Sequence, residues 1–348
     1  MSDTAILRAD GGADIGMGHL MRCIGFAEGC LQQQIQPVLV TSSTSALENV
    51  QHPDALELVS LPDATTDRED AAFTLDAYEQ WGAGPLVTDL CHAEYQQDPD
   101  RYRDYLKQLN EHVSPLVVID DLFSFAFPAD VMVNPGYGAA DRDYPADEDV
   151  SNLLGPEYFI FRSEFIQQRQ EMDPYAPREV EHIVVTLGGS DLNNVLETVC
   201  HAIERLDAPR HVHAITGVED PDGWMTRLQR ESDRKWTFTR MCNRMAEVLA
   251  EADLAVTGGG LTKYETALLG VPSVVLSQVE HQHTLMTDFQ EAETCLYTGR
   301  AGSIDEEELA DTLQSLSSSP DRLAEMSRNG QKLVDGNGRK RIIDYLTS

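Results

Sequence analysis

Residues 8–22 read Arg8-Ala9-Asp10-Gly11-Gly12-Ala13-Asp14-Ile15-Gly16-Met17-Gly18-His19-Leu20-Met21-Arg22. An apolar, strand-like run at 6–9 enters the glycines, and a periodic apolar stretch leaves them at Leu20. A strand, a Gly-x-Gly turn and a helix make the opening of a βα unit, and the N-terminus of that helix attracts anions. Residues 254–265 repeat the arrangement: Leu254-Ala255-Val256 leads to Gly258-Gly259-Gly260-Leu261-Thr262-Lys263-Tyr264-Glu265. Two such turns in different halves predict an α/β chain of two Rossmann-like domains facing across a cleft, with a ligand held between them.

Outward from these turns the pattern continues. Strand-like runs at 6–9, 38–41, 56–60, 86–88, 116–119 and 131–134 alternate with helix-like stretches at 20–34, 67–81 and 98–112. In the second half, strands are predicted at 183–187, 212–216, 236–239, 254–256 and 273–276, and helices at 193–206, 241–252, 262–269 and 306–317. Alternation on this spacing implies mainly parallel sheets covered on both faces. Pro135, Pro145, Pro156, Pro174 and Pro177 interrupt the stretch between the halves. The expected division is 1–150 and 151–348, with the apolar piece 158–161 packed at the junction.

Composition narrows the chemistry. Lys and Arg number 26 against 59 Asp and Glu, a formal net charge of -33. Such a surface excludes non-specific nucleic-acid binding, which needs clustered cations. The acid is dispersed and Lys is scarce, which fits a salt-rich solvent that screens self-repulsion, hence a halophilic source. No run of 18 apolar residues occurs, so membrane insertion is not expected. The start lacks the features of a secretory signal, which points to the cytoplasm. Six cysteines form no CxxC pair, so neither a zinc site nor a disulfide framework is expected. His281-Gln282-His283 places its histidines at i and i+2, whereas a helical zinc motif wants i and i+4. No metal and no cofactor are expected.

The polar residues at strand ends are the candidates. In an open parallel sheet the carboxyl ends of the strands line the ligand crevice. Asp10, Asp89, Asp120 and Asp121 fall there in the first half, with Asn134 adding an amide; each Asp could instead cap a helix. His19 lies in the first turn of a helix, where the positive dipole end favours the neutral imidazole that a general base needs. It could also merely pack locally. A dinucleotide fingerprint is not complete: Met21 stands where the third glycine belongs, and Thr41-Ser42-Ser43 lacks the acid that would follow the second strand. In the second half, Gly188-Gly189-Ser190 and Gly258-Gly259-Gly260-Leu261-Thr262 offer backbone N–H groups to a phosphate. Glu265 could close a capping box with Thr262 or accept two ribose hydroxyls.

In this order the motifs resemble the UDP-sugar hydrolases of the pseudaminic acid pathway and the related spore-coat polysaccharide biosynthesis proteins. The resemblance runs over nearly the whole chain, through Arg8-Ala9-Asp10, Gly16-Met17-Gly18-His19 with Arg22, Asp120-Asp121, Asn134-Pro135, Leu154-Gly155-Pro156-Glu157-Tyr158, Gly188–Asp191, 258–265 and Leu269-Gly270-Val271-Pro272. It implies a GT-B-like fold and a metal-independent reaction on a small UDP-sugar. Water attacks the anomeric carbon of a UDP-linked 2,4-diacetamido-2,4,6-trideoxy hexose with inversion and releases UDP. His19 would be the base, and Asp10 or Asp89 would orient the imidazole or the sugar. Gly16, Gly18, Arg22, Asp121 and Asn134 would bind the substrate. The pyrophosphate would face Gly189, Ser190, Gly259, Gly260, Leu261 and Thr262, and the ribose would bond Glu265. The start of a helix at Met241 would border the uracil, and His281 and Gln282 would lie by the sugar. His281-Gln282 is closer to the GT-B glycosyltransferases than the family's own Asn-Gln, which keeps transfer from a UDP-sugar donor as the alternative.

Overall fold

Strand β1 (Thr4–Ala9) sends Ala5, Leu7 and Ala9 to one face and Ile6 and Arg8 to the other, as a pleated strand must. Both sets are buried, because helices cover both sides. The computed structural model describes all residues except 1–2, 13–14, 49, 63–65, 83, 91–94, 96–97, 123–125, 143–148, 189–194, 218 and 221. It divides into two units, Met1–Ser163 with Gly336–Ser348, and Glu164–Asp335.

In the first unit, β1 is joined by β2 (Gln36–Thr41), β3 (Glu57–Ser60), β4 (Leu86–Asp89), β5 (Leu116–Ile119), β6 (Val131–Asn134) and β7 (Ser151–Leu154). All pairs are parallel, in the order β3-β2-β1-β4-β5-β6-β7. Helices α1 (Gly18–Gln32) and the short α2 (Thr44–Leu47) lie on one face. The other face carries α3 (Asp67–Trp81) and α4 (Pro99–Asn110). Local signals set the ends of both. Thr66 and Glu69 form a capping box on α3, and Asp98 caps α4 with Pro99 in its first turn.

The second unit opens with α5 (Ser163–Glu171) and continues as β8 (His182–Thr186), α6 (Leu196–Glu204), β9 (His211–Thr216), α7 (Trp224–Glu231), β10 (Lys235–Arg240) and α8 (Met245–Ala250). Then follow β11 (Leu254–Gly258), α9 (Thr262–Leu269), β12 (Ser273–Ser277), α10 (Glu280–Phe289), β13 (Cys295–Arg300), α11 (Glu306–Ser317) and α12 (Pro320–Leu333). Its six strands are also all parallel, in the order β10-β9-β8-β11-β12-β13. Each sheet reverses its winding once, between β1 and β4 and between β8 and β11. These are the topological switch points at which open α/β sheets bind ligands.

The division differs from the expected break near residue 150. β7 extends the first sheet past it, pairing Asn134 with Leu154. The segment 158–161 also stays within the first unit. Ile160 joins the α1 core, and Arg339 of the C-terminal helix (Gly338–Thr347) donates to the carbonyls of Phe161 and Gly25 at 3.0 and 3.1 Å. The C-terminal helix thus returns to the first unit, which spacing along the sequence does not reveal. Among the described residues no helix is long and apolar enough to cross a membrane.

Candidate functional site

The turn after β1 is closed by two backbone hydrogen bonds between Gly12 and Gly16. Gly16 has φ +79°, a conformation that a side chain would strain. The turn delivers Gly18 as the first residue of α1 and His19 as the second. Among the described residues no side chain caps this helix, so its first amides keep their positive field.

His19, Arg22, Asp89 and Asp121 are brought together at the β1–β4 switch point. His19 Nδ1 lies 2.7 Å from Asp89 Oδ1. Arg22 donates from Nε to Asp89 Oδ2 at 2.7 Å and from Nη2 to Oδ1 at 2.8 Å. Its Nη1 reaches both oxygens of Asp121, at 2.7 and 2.8 Å. The side chain of Asp89 is 0% exposed and that of His19 18%. Burial alone would raise the Asp89 pKa, but the Arg22 guanidinium and the His19 ring outweigh it and hold the carboxyl well below its ordinary value. An ionised Asp89 accepts from Nδ1–H, which fixes the tautomer and leaves the lone pair on Nε2. Among the described residues Nε2 has no partner, so it can take a proton from a bound molecule.

Asp10 stands apart from this cluster. It accepts from Arg8 Nη2 at 2.6 Å, from the Ser42 amide at 2.7 Å and from the hydroxyls of Ser42 and Thr41 at 2.8 and 3.0 Å. Arg8 also pairs with Asp70, to which Tyr105 donates at 2.9 Å. Burial again pushes the Asp10 pKa up, and Arg8 and Ser42 bring it down to about 2. Of the two carboxylates expected to orient the imidazole or the sugar, the structure places Asp89 beside the imidazole and commits Asp10 to Arg8. The Thr41-Ser42-Ser43 segment, with no acid for a ribose, anchors Asp10 and, through the Ser43 hydroxyl, the Gly11 amide. Arg22 is likewise turned inward onto two carboxylates. Asn134 ends β6 fully buried. Its Oδ1 accepts from the Gly136 amide at 2.8 Å, which fixes the orientation of the side chain, and among the described residues Nδ2 has no partner.

In the second unit the glycine turn crosses its switch point. A Cβ on Gly258 would stand 2.8 Å from the carbonyl oxygen of Leu187, at the end of the neighbouring strand. Gln282 of α10 lies against Gly259 and Gly260, and its Oε1 accepts from the Gln278 amide at 2.9 Å. His281 is exposed on the same helix. Leu261 occupies the N-cap of α9 and Thr262 begins the helix, so the Thr262–Glu265 capping box does not form. Glu265 sits half-buried on the first turn. Lys263, which sequence reasoning did not single out, is buried there. Its Nζ donates to the Gly259 carbonyl at 2.9 Å and lies over the rings of Tyr264 and Phe289. An amphipathic lysine in an apolar helix stretch was the available signal. Met241 does not begin a helix. It forms a left-handed turn at φ +55°, 51% exposed, and α8 starts four residues later. Gly189 and Ser190 lie outside the described residues.

Among the described residues no group of three or more His, Cys, Asp or Glu could hold a metal ion. Three histidines without usable spacing, His182, His211 and His213, gather on β8 and β9, where burial and the neighbouring His182 push His211 down to about 4.

Residues 182–343 match the glycosyltransferase family 28 C-terminal domain. The match is just under half the chain and covers the second sheet with its glycine turn. Across its length the chain is 26% identical to the spore coat polysaccharide biosynthesis protein SpsG of Bacillus subtilis, covering 97% of this chain and 96% of that protein. Its fold is similar to that of MurG from Acinetobacter baumannii, with TM-score 0.64, 15% identity and 99% of both chains covered. It is also similar to Phytolacca americana UGT2, solved with UDP-2-fluoroglucose and pterostilbene, with TM-score 0.64, 14% identity and 100% and 99% covered. At these identities the two structures speak for the fold alone: α/β, in two parallel-sheet Rossmann-like halves of GT-B type.

Proposed function

We propose that the chain is a UDP-sugar hydrolase of surface-polysaccharide or nonulosonic acid synthesis, acting on a UDP-linked 2,4-diacetamido-2,4,6-trideoxy hexose. The observation that carries this reading is the His19–Asp89 pair: a buried carboxylate fixes the tautomer of a part-exposed imidazole whose Nε2 has no partner among the described residues. Nε2 takes a proton from water, the oxygen attacks the anomeric carbon, and the bond to UDP breaks with its electrons leaving on the diphosphate. Such a base contributes about 10²–10⁴-fold. The family 28 match supports UDP binding by the second unit. There the N–H groups of the Gly259–Gly260 turn and the start of α9 suit a diphosphate, Glu265 the ribose, and Met241, exposed in a strained turn, the uracil. The buried Nδ2 of Asn134 supports a sugar contact, because an unpaired donor costs about 1–3 kcal/mol unless a ligand accepts from it.

The same match favours a second reading, glycosyl transfer to an acceptor, with His19 deprotonating an acceptor hydroxyl. The purified protein is incubated with a panel of UDP-sugars, and UDP is followed with no acceptor present. Release that His19→Ala abolishes while UDP still binds is the expected result. Turnover only after an acceptor is added moves the chain to the transferases. No turnover in either condition overturns both readings.

A further inference from the structure

The Asp89 carboxylate does not act on His19 alone. Its Oδ1 is shared between His19 Nδ1 and Arg22 Nη2, and its Oδ2 is taken by Arg22 Nε. The Arg22 guanidinium is in turn divided, since Nη1 is held by both oxygens of Asp121. Arg22 is buried, so solvent screens its share of this division little. The side chain of Asp121 is 29% exposed and does not bond the imidazole. Two carboxylates thus compete for one cation, and whatever Asp121 draws from Arg22 is not available to neutralise Asp89.

We propose that Asp121 is a positioning residue that sets the basicity of His19 through Arg22 and Asp89. This rests on the reading of His19 as the base. The sign follows from the charges. With His19 neutral, Arg22, Asp89 and Asp121 sum to one negative charge, which favours the imidazolium. Without the Asp121 charge they sum to zero, and the imidazolium loses that support. Other charged groups lie nearby. Arg8 on β1 and its partner Asp10 act electrostatically on Cys23 of α1, and Asp120 just past β5 is buried and accepts from the Leu122 amide. Asp121→Asn changes none of them. Asparagine keeps an oxygen to receive Nη1, so the variant alters charge more than shape.

The test is the titration of His19 read by its ring NMR signals in the full chain, assigned from their loss in His19→Ala. In Asp121→Asn the midpoint is expected to fall by about half a pH unit or more. Asp121→Glu, which restores the charge, is expected to bring it back toward wild type. An unchanged midpoint in Asp121→Asn, or a fall that Asp121→Glu fails to reverse, overturns the proposal, since a purely structural role would not follow charge. Should Asp121→Asn not fold by circular dichroism, a wild-type midpoint in Asp121→Glu and a lowered one in Asp121→Ser decide the question in the same way. The acid limb of UDP release should move with the NMR midpoint. A midpoint that moves in a protein that releases no UDP leaves the tuning intact and removes the hydrolase reading. Release with an unmoved midpoint does the reverse.

Discussion

The two switch points share a topology and differ in chemistry. Between β1 and β4 stands a knot of charge: one imidazole, one guanidinium and two carboxylates, joined by hydrogen bonds of 2.7 to 2.8 Å. At the β8–β11 switch point the described residues offer three glycines, a helix with no capping side chain among them, and a lysine spent on a turn carbonyl. Charge placed on fixed carboxylates can tune a proton transfer, whereas amides and a helix N-terminus can only grip an anion. The strand order is the same at both points, and the difference lies in which residues end the strands.

The largest effect is expected at His19. Replacing it by Ala should lower UDP release by about 10²–10⁴-fold while UDP affinity, measured by calorimetry, stays near wild type. Equal loss of affinity would show that the charged site also grips the nucleotide and would erase the contrast. Gly258→Ala comes next. Its methyl group would meet the Leu187 carbonyl, which as backbone cannot step aside, and should cost about 3 kcal/mol in urea unfolding along with nucleotide binding. The His19 titration should be untouched.

Asp10→Asn probes a charge of the first unit that is not beside the base. Asp10 is shifted from 3.8 to about 2 in the folded chain, so the native state binds fewer protons than the unfolded one. The stability it contributes, about 2 kcal/mol, is complete above about pH 4 and disappears as pH falls toward 2. The difference in unfolding free energy between wild type and Asp10→Asn should shrink across that window, with UDP release at neutral pH retained. Glu265→Gln should weaken UDP binding about tenfold and leave UMP-free ligands, such as pyrophosphate alone, unaffected. The most diffuse effect concerns the surface. With a net charge of -33, the thermal midpoint should rise as salt is raised toward molar concentration, and an unchanged midpoint would contradict a halophilic source.

Much of the fold was legible. The runs at 116–119 and 131–134 are strands with those bounds, and 67–81, 262–269 and 306–317 are helices with theirs. Continuous apolar runs bounded by turn residues carry that information locally. The predicted helix over 241–252 starts only at Met245, since a left-handed residue at Met241 opens the segment and no spacing rule foresees it. The edge strands β7 and β13 and the C-terminal helix were not anticipated, because each is stabilised by what it packs against.

The sequence by itself determined the alternation of strands and helices, the two glycine turns, and the presence of a histidine on the first turn of α1. Each depends on residues within about ten positions of one another, where backbone preference and apolar period suffice. Only the tertiary structure decided that Asp89 rather than Asp10 holds His19, and that Arg22 faces two carboxylates rather than solvent. Those pairings span up to 99 residues, and one carboxylate at a strand end looks like another until the strand order places its neighbours.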